Sequence, residues 1–179
     1  MGINPFIEGY PSPFVVRVSL SREVRSFKEI ANVSRALSEV EGIQGNTWPR
    51  FWPTYRRARN KEVSVLHFHV DSPPFFEILT DPAWLAVFLL VLTGYKQGKE
   101  SLQEMSADAA HLVSTVKGLT EYQLQLLEIA VSLSLGHLLE LAENESLKIA
   151  KKLHRLRGRI LGDAGEQIEV RVINIDKTL

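Results

Sequence analysis

Between Thr47 and Lys61 the chain reads TWPRFWPTYRRARNK, where four aromatic residues (Trp48, Phe51, Trp52, Tyr55) interleave with five cations (Arg50, Arg56, Arg57, Arg59, Lys61). Aromatic faces stack on bases, and guanidinium groups pair with phosphate oxygens. Trp48, Arg50, Trp52, Tyr55, Arg56, Arg57 and Arg59 are therefore a candidate binding set for nucleic acid or a nucleotide. The same residue types anchor protein interfaces, which makes a protein partner the second reading. A third reading needs no ligand: the tryptophans plug the edge of the core and the arginines are solvated outside it.

His67 and His69 stand two apart in an alternating segment, a spacing that places two imidazoles on one strand face and suits a shared metal ion. Asp71 continues that column, yet the same alternation describes a half-wet strand, so the pair are candidates only; no metal or other cofactor is expected. A second cationic cluster, KKLHRLRGR from Lys151 to Arg159, falls near the end of a helical pattern. There positive charge complements the helix dipole, and anion binding is the alternative use. The chain shows no Gly-rich phosphate loop, no G-x-S-x-G elbow, no H-E-x-x-H helix and no cysteine, and the expectation is a non-enzymatic protein.

Ala83 to Leu92, AWLAVFLLVL, is a run of ten uncharged apolar residues. A membrane-spanning helix needs roughly 20. Burial in protein is thus expected, with Trp84, Phe88 and Val91 as candidate interface residues and a membrane partner not expected. A membrane-active effector built on helix 82–97 is the alternative that this run leaves open.

With 179 residues, the chain has the size of a single α+β domain over 1–179, long enough to bury a sizeable core. The alternative division is a sheet lobe of 1–78 plus 166–179 and a helical lobe of 80–160. Lys plus Arg number 21 and Asp plus Glu number 21, so any electrostatic recognition has to be local. The absence of cysteine excludes disulfides, thiolate nucleophiles and sulfur-ligated zinc. No basic segment followed by an apolar one trails Met1, and a cytoplasmic location is expected.

Strands are predicted at Phe14–Leu20, at Glu62–Val70 and at Gln167–Ile175, each from alternation. Ser21 caps a predicted amphipathic helix whose stripe is Val24, Phe27, Ile30, Ala31, Leu37 and Val40 and whose stop is Gly42. Ser72-Pro73-Pro74-Phe75-Phe76 reads as a strand-to-helix connector, and Asp81-Pro82 opens the apolar helix, which runs to about Gln97. Ser101–Glu104 and Thr120–Gln123 have capping-box spacing. The second opens a helix that, uninterrupted by proline to Leu156, exceeds thirty residues and packs in its own domain or against a second copy. The resulting fold is α+β: a small mixed sheet of about three strands with an amphipathic crossover helix, plus an apolar helix and a long helical hairpin or bundle.

Over Phe14 to Lys99 the order strand, helix, loop, strand ending in Asp71-Ser72-Pro73, then an apolar helix, resembles a group of small bacterial proteins with the same strand-Ser-Pro-apolar-helix centre. That resemblance implies a bacterial accessory subunit and brings no catalytic residues. The chain departs from the pattern in its aromatic-arginine loop. The expected function is an interaction or assembly module that self-associates or docks on a larger protein, with nucleic-acid or nucleotide binding through 47–61 as the alternative.

Overall fold

The computed structural model describes residues 14–20, 27–47, 64–69, 74–80, 82–93, 103–104, 109–161 and 168–173. Strand β1 spans Phe14–Leu20, and its alternation sorts its side chains: Val16, Val18 and Leu20 enter the main core, while Arg17 and Ser19 are half-buried on the reverse face. Helix α1 spans Phe27–Thr47 and buries Val33, Ala36, Leu37 and Val40, spaced a turn apart. Phe27, expected in this stripe, is 91% exposed, and Ala31 is exposed too, so the stripe begins later than the spacing predicts. Nor does Gly42 end the helix, because one glycine in a helix interior costs only about 1 kcal/mol. The predicted cap Ser21 and Val24 lie outside the described residues.

Strand β2 spans Ser64–His69 and β3 spans Phe75–Thr80. The second of these corrects the expectation of a connector. In FFEILT, Phe76, Ile78 and Thr80 are fully buried while Phe75 and Glu77 are half-buried, a period of two that the preceding prolines obscure. Pro74 cannot donate to a ladder but still accepts, and its carbonyl takes the Leu20 N–H at 2.8 Å.

Strand β4 spans Ile168–Ile173 and completes a four-stranded sheet of order β2-β3-β1-β4 in which every neighbouring pair is antiparallel. The expected mixed sheet of three strands is corrected on both counts. β1 and β2 run parallel to each other but are not neighbours, since β3 lies between them and is antiparallel to both. α1 thus crosses over β3, and the helices that follow β3 return the chain across β1 to β4. This is split β-α-β, ferredoxin-like connectivity with its second crossover enlarged into several helices.

The helices described within that enlargement are α2 (Pro82–Thr93), α3 (Ala109–Ser114), α4 (Glu121–Glu140) and α5 (Glu143–Leu161). α2 is the hub: α1, α3, α4 and α5 all pack on it, and every residue from Pro82 to Val91 is buried. A helix apolar all round requires such a position. Trp84 and Phe88 stack at 4.9 Å between ring centroids within it. The stretch 94–102, including Ser101 of the predicted capping box, lies outside the described residues.

α4 opens on the capping box that its sequence predicts: Thr120 Oγ1 accepts from the Gln123 N–H at 3.2 Å, and the Thr120 N–H donates to Gln123 Oε1 at 3.0 Å. The single long helix expected beyond it is corrected to a hairpin. Leu141 turns extended at φ −68°, ψ 152°, and the Ala142 carbonyl accepts the Ser146 N–H at 2.9 Å, which starts α5. Glu143 and Glu145 in the first turn of α5 supply the reason, because carboxylates stabilise a helix beginning and disfavour a helix end. The buried sides of all these helices join the inner sheet face (Val16, Val18, Leu20, Phe76, Ile78, Val170, Val172) in one apolar cluster. Among the described residues no helix is long and apolar enough to cross a membrane.

Candidate interaction surfaces

Three rows of register partners cross the sheet away from that cluster. His69, Phe75, Ser19 and Glu169 form one; Glu77, Arg17 and Arg171 the next, with His67 the register partner of Glu77; Val15, itself only 6% exposed, and Ile173 belong to the third. Antiparallel pairing places opposite residues on the same face, so chemistry that is dispersed along the chain is collected here. Arg17 donates from Nε at 3.0 Å and from Nη2 at 2.6 Å to Glu77 Oε1. Its guanidinium also lies over the Phe75 ring, 4.3 Å from the centroid. From the other neighbouring strand His69 stacks on Phe75, centroids 5.0 Å apart and planes within 4°. Phe75 is thereby held between a cation and an imidazole. The arrangement is ordered before any partner arrives, which lowers the entropy cost of using it as a contact surface.

At the other side of the sheet, Lys117 pairs by backbone along β4: its N–H donates to the Val170 carbonyl at 3.0 Å and its carbonyl accepts from Val172 at 2.8 Å. The Lys117 ammonium meets Glu169 Oε2 at 2.9 Å, and Arg171 reaches Glu169 Oε1 at 3.3 Å. The Lys117 hydrogen bond, helped by Arg171, outweighs the desolvation that acts against it and holds the Glu169 carboxyl below its ordinary range.

The residues singled out in the sequence fare differently. Trp48, Arg50, Trp52, Tyr55, Arg56, Arg57 and Arg59 lie outside the described residues, as does Asp71-Ser72-Pro73. Trp84, Phe88 and Val91 are 0% exposed inside the chain's own core, so their apolar surface is already covered by α1, α3, α4 and α5. An interface expected at those three is corrected on that ground.

His67 and His69 do fall on alternate register positions, opposite Glu77 and Phe75, although a register shift between Val65 and His67 interrupts the strict alternation predicted for β2. The Glu77 carboxylate next to them is taken by Arg17, a cation that opposes metal binding. Among the described residues no three His, Asp or Glu converge as a metal site.

In the Lys151–Arg159 cluster two residues serve the fold: Arg157 Nε donates to the Leu92 carbonyl at 3.1 Å, and Arg159 reaches Glu39 of α1 at 2.7 Å. Lys151, Lys152, His154 and Arg155 are exposed. Sequence reasoning passed over Arg17, Phe75 and Glu77. The sequence signal for them is the alternation of FVVRVSL and FFEILT, which places each on the reverse face but does not pair the charges.

No family model, no curated protein and no solved structure matches this chain.

Proposed function

We propose that this chain is a non-enzymatic assembly module that self-associates through the outer face of its sheet. The supporting observation is the row Glu77, Arg17, Arg171, which carries both signs of charge across a face opposite the helical layer. A two-fold axis parallel to the strands and passing through Arg17 sets Arg171 of one copy opposite Glu77 of the other, with the two Arg17 side chains, each already paired with its own Glu77, at the axis. Arginine and aromatic side chains, here Arg17 and Phe75 already in contact, are the residue types enriched in interface centres. α2 has no part in the contact, because its apolar surface is consumed internally.

The test is the native mass of the nuclease-treated full chain by light scattering across a concentration series. The expected result is a particle heavier than one chain. Exchanging the ion pair (Arg17→Glu with Glu77→Arg) keeps the pair within the chain but misplaces both charges relative to Arg171, and should shift the particle to monomer with an unchanged circular dichroism spectrum. A wild-type monomer at all concentrations, or full assembly of the exchanged variant, removes this reading.

A further inference from the structure

We infer that the solvent face of α5 is a binding site for the phosphodiester backbone of a nucleic acid, centred on Lys151, Lys152 and Arg155. α5 is strongly two-sided. Ile149, Leu153, Leu156 and Ile160 are buried, whereas Lys148, Lys151, Lys152 and Arg155 return every three or four residues on the exposed side. Side chains at those spacings are neighbours about 5–6 Å apart, so the cations form a line rather than a scatter. The acidic residues of the helix, Glu143 and Glu145, lie in its first turn, and Glu145 is taken up by Lys148 at one end of the line.

Structural duties account for the other cations of this helix and not for these. Lys148 pairs with Glu145 at 3.0 Å, Arg157 bonds the Leu92 carbonyl and Arg159 pairs with Glu39. Lys151, Lys152 and Arg155 make no ion pair or hydrogen bond among the described residues. The helix dipole does not explain them either. Its influence fades within the last turn, and all three precede the last turn of a helix that ends at Leu161. In a chain with 21 positive and 21 negative residues, an unpaired cationic line is a local concentration, not a reflection of overall charge.

A second observation is that the surface beside the line has room for more than a simple anion. Beside the line lies an open depression of about 400 Å³, with Leu141 and Ile149 contributing apolar surface and Lys148, Lys151, Lys152 and Glu145 completing its lining. It has the volume for a nucleoside next to the ammonium groups that would hold its phosphate. The apolar side of α5 is buried and only Leu147, 41% exposed, presents apolar surface beside the cations, far less than the wide apolar face a helix needs to lie in a lipid surface.

The full chain is titrated against a fluorescein-labelled, mixed-sequence 20-nucleotide single strand by anisotropy at about 50 mM salt. Binding is expected, with log K falling against log salt at about −0.7 per phosphate contacted, hence about −2 for three contacts. The triple variant Lys151→Gln, Lys152→Gln, Arg155→Gln should bind at least tenfold more weakly with a flatter salt slope and an unchanged circular dichroism spectrum. The control variant Lys28→Gln, Arg35→Gln, exposed cations of α1, should lose less than threefold. Absence of wild-type binding, equal losses in both variants, or binding that poly-glutamate or anionic phosphatidylserine vesicles displace as well as unlabelled oligonucleotide does would each overturn the assignment.

Discussion

Arg157 and Leu92 lie 65 residues apart, and the guanidinium of the first donates from Nε to the carbonyl of the second at 3.1 Å. Leu92 is in the final turn of α2, where carbonyls lack an intrahelical donor. A cation from α5 thus caps the end of α2, the most apolar of the described helices. The contact joins the apolar run to the Lys151–Arg159 cluster.

Removing that donor should destabilise the fold without touching any proposed surface. For Arg157→Met, which retains the aliphatic stem, a loss of about 1–3 kcal/mol is expected in urea unfolding. Arg155→Met, two residues away and exposed, should stay within about 0.5 kcal/mol of wild type. Equal midpoints for the two variants would contradict the structural assignment of Arg157.

Trp84 is fully buried and stacked on Phe88, so Trp84→Ala should cost about 3–5 kcal/mol through lost burial and a cavity. Chemical denaturation measures the loss. An interface tryptophan would behave otherwise, leaving monomer stability nearly intact while changing the native mass.

Two glycines should respond to alanine with opposite signs. Gly118 has φ +78°, and a Cβ there would collide with the carbonyl oxygen of Val172, a residue whose N–H is bonded to the Lys117 carbonyl. Gly118→Ala is expected to destabilise by at least about 1–2 kcal/mol. Gly136 lies inside α4 with open space where a methyl group would go, so Gly136→Ala should stabilise by about 1 kcal/mol. Thermal unfolding of the two variants on either side of wild type is the check.

The Glu169 carboxyl should titrate below its ordinary value of 4.5, because Lys117 and Arg171 favour its charged form. A folded-state pKa below the unfolded one means that the contribution to stability is fully present above the unfolded value and fades as pH falls through the folded one. Carboxyl NMR shifts should give a midpoint below 4.5 that rises in Lys117→Met. A Glu169 midpoint at or above 4.5 in the wild type would show that these contacts do not hold in solution.

What the amino-acid order determined by itself was whatever closes within a turn or a few alternations. Thr120 and Gln123 reciprocate because a capping box spans three residues, Asp81-Pro82 begins a helix because proline at its first position loses no bond, and FVVRVSL alternates whatever its neighbours are. The apolar character of Ala83–Leu92 likewise announces burial. Only the tertiary structure decided what does the burying, that FFEILT is a central strand and not a connector, and which cations are consumed by the fold. The physical reason is that strand pairing and desolvation depend on partners far away in the chain. Arg17 meets Glu77 across sixty residues of sequence, and no local pattern at either position specifies the other.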